Sequence, residues 1–134
     1  DLNIKPKAAS QRGMSALHYA CKGPSTDVVK LILKHGEFNI NTRASGKTCL
    51  FLACQYNNTE TVKLLLEQND IDYNLKTPRG MTPLMIASQN GNAEIVEMLL
   101  NQHNIDKDAL TVEGESAESL AKNFTISNLF DKYE

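Results

Sequence analysis

The side chains best suited to chemistry are three histidines, His18, His35 and His103, and three cysteines, Cys21, Cys49 and Cys54. A zinc centre needs thiolates or imidazoles at short, regular spacing, and no C-x-x-C pair occurs here. An odd number of cysteines also leaves a disulfide framework incomplete. There is no Ser–His–Asp order, no H-E-x-x-H segment and no glycine-rich loop able to cradle phosphate. These residues predict no catalytic group, no metal site and no cofactor. Cys21 and Cys54 each follow a glycine by eight residues, and Ser88 holds the same place after a third glycine. A recurring small residue marks a packing position, which a reduced cysteine fills as a small hydrophobe.

Composition narrows the class further. A chain of 134 residues is one domain's length, and its 41% hydrophobic content supports a folded but lean core. The net charge of −2 argues against wholesale nucleic-acid binding, and no aromatic ladder interleaves the basic residues. No apolar run approaches the ~20 residues that span a bilayer, so membrane insertion is not expected. Buried, reduced thiols point to an intracellular protein, cytoplasmic or nuclear. Beginning at Asp1 rather than Met, the sequence is expected to be a fragment of a longer protein.

The elements that would hold these residues repeat. "GMSALHYACKGPSTDVVKLIL" begins at Gly13, "GKTCLFLACQYNNTETVKLLL" at Gly46 and "GMTPLMIASQNGNAEIVEMLL" at Gly80. A degenerate copy, "GESAESLAKNFTISNLFDKYE", begins at Gly114. The glycines lie 33, 34 and 34 residues apart, and self-similarity at that period marks a stacked repeat protein. Two residues after each glycine stands Ser15, Thr48, Thr82 or Ser116, able to accept a backbone N–H at a helix start. Ala16, Cys49, Pro83 or Ala117 follows as the first helical residue, where proline is tolerated. Leu17, Ala20 and Cys21 then share one helical face, as do Leu50, Ala53 and Cys54, and Leu84, Ala87 and Ser88. Ser25, Asn58 and Asn92 predict the start of a second helix. Asp27, Glu60 and Glu94 in its first turn suit the positive end of the helix dipole. This helix carries Val29, Ile32 and Leu33, then Val62, Leu65 and Leu66, then Val96, Leu99 and Leu100. Its expected ends are near Gly36, Asn69 and His103, so His35 and His103 stand where a cation suits the dipole. A polar stretch long enough for a projecting hairpin turn leads to the next glycine.

The unit resembles the ankyrin repeat, whose pattern runs G-x-T-P-L-H-x-A-A-x-x-G-H-x-E-I-V-x-L-L-L. "GMTPLMIASQNGNAEIVEML" follows it closely, and "GMSALHYACK" keeps the Leu17–His18 pair. Phe51 and Met85 replace the motif histidine, which removes a Thr–His hydrogen bond in those units. The resemblance covers Gly13 to about Leu129. It implies an all-α repeat solenoid of helix-loop-helix units joined by β-hairpin-like fingers. Residues 46–79 and 80–113 would be the second and third repeats after a first at 13–45, and 114–134 a C-terminal capping repeat. Residues 1–12 would be a remnant finger or a makeshift N-terminal cap. In the last unit Thr125 is expected to cap a helix with Ile126, Leu129, Phe130 and Tyr133 on one face, the other being polar as a terminal repeat requires.

The same resemblance implies a protein-interaction module rather than an enzyme, with partners across the fingers and the inner face of the first helices. The candidate partner-binding residues are Arg12, Met14 and Lys22, then Arg43, Lys47, Gln55 and Tyr56. Arg79, Met81, Gln89 and Asn90 follow in the third unit, and Phe124 in the fourth. Arg12, Lys22, Arg43, Lys47, Lys76 and Arg79 form a basic row, while Asp27, Glu60, Glu67, Glu94 and Glu97 gather on second helices. Exposed Tyr56 and adaptable Met14 and Met81 suit binding anchors. The expected partner is an acidic or mixed peptide or protein, held by a monomer. The alternative is a structural spacer whose parent protein carries its function, including any enzyme activity, elsewhere. Finger positions Asn41, Asn74 and Asp108 each lie eight residues after a leucine. This resembles the spacing in hydroxylated ankyrin fingers, which would make Asn41 and Asn74 modification sites.

Overall fold

The computed structural model describes residues 16–35 and 39–133. Residues 1–12 with Arg12, and also Met14, the Ser15 cap and the Gly36 helix end, lie outside these. Seven helices occur among the described residues: α1 (Ala16–Lys22), α2 (Thr26–His35), α3 (Cys49–Gln55), α4 (Thr59–Leu66), α5 (Pro83–Asn90), α6 (Ala93–Leu100) and α7 (Phe124–Lys132). Among the described residues no strand forms, and the architecture is the all-α repeat solenoid that the sequence predicts. The chain divides into two compact units, Asp1–Asp72 and Tyr73–Glu134.

In the first unit α1 packs on α2 and α3, and α4 packs on α2 and α3. Its core is Leu17, Cys21, Val29, Ile32, Leu50, Ala53, Cys54, Val62 and Leu65, all buried. These positions follow the i, i+3, i+4 spacing. Ala20, Leu33 and Leu66 of the same sets are only half-buried, however, and Cys49, Phe51 and Leu52 bury the rest of α3 as well. Thr48 starts α3 by accepting the Phe51 amide at 3.1 Å, and Ser25 accepts the Val28 amide at 3.4 Å before α2. Asn58 departs from its expected role and makes no side-chain cap on α4. Its carboxamide instead donates to the carbonyls of Cys21 and Gly23, at 2.5 and 2.9 Å. The Cys21 carbonyl in the last turn of α1 and the Gly23 carbonyl just beyond it lie past the reach of intrahelical bonds, and the amide serves both.

In the second unit α5 packs on α6, and α6 on α7. Thr82 accepts the Met85 amide at 3.2 Å, and Met85 Sδ accepts the Thr82 amide at 3.4 Å. Sulfur thus closes a capping box in place of the missing histidine. Asn92 accepts the Ile95 amide at 3.1 Å. The second helices stop earlier than expected, at Leu66 and Leu100 rather than near Asn69 and His103. Gln68 donates its side-chain amide to the Leu64 carbonyl and Gln102 donates to Met98, each at 3.0 Å. These contacts satisfy the last turn without a left-handed terminating residue.

The degenerate copy differs most. Ala117 begins a turn and not a helix. Glu118, exposed, stands where Leu17, Leu50 and Leu84 anchor the other first helices. Ser119 ties up the turn by donating to the Ser116 carbonyl and accepting the Ser116 amide, both at 2.8 Å. The cap of α7 is Asn123, which accepts the Ile126 amide at 3.1 Å, and not Thr125. Ile126 and Phe130 are buried, Leu129 and Tyr133 half-buried, and Asn128, Asp131 and Lys132 exposed, as the predicted face requires.

The fingers carry isolated antiparallel bridges, Ala44 with Lys47 and Leu110 with Ser116. Ser45 and Gly46, at φ 53° and 80°, form the two-residue turn of the first; positive φ at both central residues is the type I′ combination. The turn ending at Gly80 is one residue longer than that at Ser45–Gly46. Gly80 at φ 82° donates to the Thr77 carbonyl at 2.8 Å, and Thr77 donates to Met81 at 2.8 Å. This is a type I turn closed by a glycine bulge. The difference accounts for the first spacing of 33 residues against 34 later.

Candidate partner-binding site

His18 fixes the geometry of the first unit's finger. Its ring is buried, and Nε2 donates to the Thr42 carbonyl at 3.0 Å. Burial pushes its pKa down, opposed by hydrogen bonds to the backbone of Thr42 and Lys47. A neutral imidazole therefore ties α1 to the finger. Ala44 and Lys47 then exchange backbone hydrogen bonds of 2.8 and 3.1 Å across the turn.

Beside this tie lies a cleft of about 350 Å³ lined by Tyr19, Lys22, Ala44, Ser45, Lys47, Leu52 and Tyr56. Ala44 and Leu52 are buried, whereas Tyr19 and Tyr56 are 54% and 47% exposed. Lys22 Nζ sits 5.6 Å from the centre of the Tyr56 ring. Lys47 Nζ donates to Gln55 Oε1 at 3.1 Å and lies 5.7 Å from the Phe51 ring centre. Among the described residues, no acidic one lines the cleft. Lys22, Lys47 and Tyr56, identified from repeat position, thus line one cavity, with Gln55 bonded to Lys47. Arg43 is exposed on the same finger.

Tyr19 was not among the sequence candidates. It occupies the register position of Leu52 and Ile86, both buried, so its repeat position alone does not mark it as exposed. A tyrosine hydroxyl at an otherwise aliphatic position was the available signal.

The remaining candidates belong to the second unit. Lys76, Arg79 and Gln89 are exposed, Met81 and Asn90 half-buried. The Arg79 carbonyl accepts the Val112 amide at 2.9 Å, which fixes that turn against the following one. Phe124 is 85% exposed at the start of α7. Of the acids, Asp27, Glu60, Glu67 and Glu94 are exposed, and Glu97 pairs with Lys132 at 3.2 Å.

Asn41 and Asn74 make matching clamps. Asn41 donates to the Asp70 carbonyl and accepts the Asp72 amide, both at 2.8 Å. Asn74 donates to the Asn104 carbonyl at 2.8 Å and accepts the Asp106 amide at 2.9 Å. Each carboxamide is thereby joined at both ends to the loop about one repeat further on.

All three cysteines are buried without a disulfide. A hydrogen bond with Cys21, then burial, pushes the Cys49 thiol up, and burial does the same to Cys54. Raised thiols stay protonated and are poor nucleophiles. Among the described residues no group of three or more His, Cys, Asp or Glu could hold a metal, and no helix is long and apolar enough to cross a membrane.

A family model described as Ankyrin repeats (3 copies) matches residues 2–77, 40–111 and 69–124. No curated protein matches the chain significantly. Ankyrin repeats are generally protein–protein interaction modules and typically non-catalytic. With those matches running from residue 2 to 124 and helix pairs recurring along the same stretch, the chain belongs to the ankyrin-repeat family.

Proposed function

We propose that the chain is a monomeric, cytoplasmic protein-binding module that grips an acidic or mixed peptide or protein segment through the cleft of the first unit. One observation carries this reading: two lysines and two half-exposed tyrosines converge on a cavity with no acid among its described lining residues. Tyrosine offers a large apolar contact with a polar tip and little rotamer entropy to lose, which makes it a frequent anchor. Uniform local charge selects a complementary partner and speeds encounter. Lys22 held over Tyr56 keeps its ammonium at the mouth before a ligand arrives. Arg12, Met14 and Arg43 would extend the contact along this unit. Arg79, Met81, Gln89, Asn90 and Phe124 would serve the same partner or a second one on the other unit.

The test compares wild type with Lys22→Gln, Tyr56→Ala at matched melting temperature. Proteins retained from cell extract are identified by mass spectrometry, and each is then titrated directly by calorimetry. Affinity reduced more than tenfold by the variant, and weakened by salt, supports the cleft. A partner bound equally by both proteins moves the site elsewhere, and the absence of any direct binder favours a structural spacer.

A further inference from the structure

We infer that the cleft takes one apolar side chain of its partner, leucine-like or aromatic, flanked within two residues by a carboxylate; this deepens the proposed binding role and rests on it. A cavity of about 350 Å³ is at the small end for ligand sites and suits one side chain rather than a folded surface. Its apolar contributions come from Ala44 on the finger and Leu52 on α3, with the rings of Tyr19 and Tyr56 beside them. A purely acidic ligand would leave these surfaces in water, whereas an apolar side chain would bury them.

The lysines supply the second half of the specificity. Lys22 is held against the Tyr56 ring, and Lys47 against the Gln55 carboxamide. Each ammonium has three donors, and Lys47 commits one to Gln55. Side chains already placed lose less rotamer freedom when a carboxylate docks. Two lysines, presented as point charges with no guanidinium fork among the described lining residues, suit single carboxylates better than phosphate.

Comparison between units shows that the cleft is specific to one place. The equivalents of Tyr19 are buried Leu52 and Ile86, and the equivalents of Lys22 are Gln55 and Gln89. Tyrosine and lysine coincide at these two positions in the first helix alone, so this chemistry is not a general consequence of the repeat.

Selection of a random-peptide display library on the whole chain tests the inference. The expected peptides share a leucine, methionine or aromatic residue with Asp or Glu within two positions. By fluorescence anisotropy, changing the peptide's apolar residue to Ala or its acid to the amide should weaken binding at least tenfold. Tyr19→Ala and Lys22→Gln in the protein should do the same, with Tyr56→Ala as a second wall variant if Tyr19→Ala melts early. Peptides carrying only acids, dependent on the lysines but indifferent to Tyr19 and Tyr56, would overturn the apolar pocket and leave the binding cleft standing. No enrichment, or peptides indifferent to every cleft variant, would overturn both.

Discussion

Asn41 and Asp72 are joined side chain to backbone: the Asn41 carboxamide oxygen accepts the Asp72 amide at 2.8 Å while its nitrogen donates to the Asp70 carbonyl. Asn74 repeats the arrangement with Asn104 and Asp106. Asn41→Ala or Asn74→Ala should cost about 1–2 kcal/mol, two exposed hydrogen bonds at roughly 0.5–1.5 kcal/mol each. Asn41→Asp keeps the acceptor but sets a carboxylate against the Asp70 carbonyl, so it should not restore the loss. Urea unfolding of the three variants checks this, and unchanged midpoints would mean that the clamps are incidental.

His18 predicts a pH dependence with a definite sign. Its folded pKa lies below the ordinary 6.5 because burial disfavours the charged ring. Between the two values the unfolded chain binds more protons, so stability falls as pH drops below about 6.5 and levels off beneath the folded pKa. Wild type should therefore lose more melting temperature between pH 7.5 and 5.5 than His18→Gln, which does not titrate. Parallel losses in the two proteins would assign the dependence to other groups.

Gly80 and Gly114 share a left-handed backbone, φ 82° and 81°, but not their surroundings. A Cβ on Gly80 would come within 3.1 Å of the Thr111 Cα, whereas one on Gly114 would meet nothing within 4 Å. Both alanine variants bear the left-handed penalty of about 1–2 kcal/mol, and Gly80→Ala adds a clash with backbone. Its melting temperature should fall further than that of Gly114→Ala, as calorimetry would show.

Ser88 sits where the other units place Cys21 and Cys54, and its hydroxyl is buried without a hydrogen-bond partner. Ser88→Cys removes that orphan and should stabilise by about 1 kcal/mol. A destabilised variant would show that the slightly larger sulfur does not fit.

The repeat period and the helices of the first three repeats were legible in the sequence, and on α2, α4 and α6 one-sided burial imposes its own spacing. Helices α3 and α5 are buried on nearly every side, which that spacing does not show. Thr48, Thr82 and Asn92 cap as expected, since each lies next to the amides it serves. Asn58 does stand at the start of α4, but its side-chain bonds were not legible, because its partners, Cys21 and Gly23, lie more than thirty residues back and only packing brings them near. The candidate site was legible in part. Lys22, Lys47 and Tyr56 follow from repeat position, but the pairing of Lys22 with Tyr56 and the exposure of Tyr19 depend on how α1, α3 and the finger meet. No local pattern encodes that meeting.

All three thiols fall in the first unit, buried, and the second unit has none. The protein thus contains a built-in clock for one half of itself. Alkylation by a small reagent under native conditions can proceed only when the first unit opens, so its rate reads that unit's opening without an added probe. Comparing this rate with global unfolding would show whether the two units let go together or one at a time, and a peptide seated in the cleft should slow the clock.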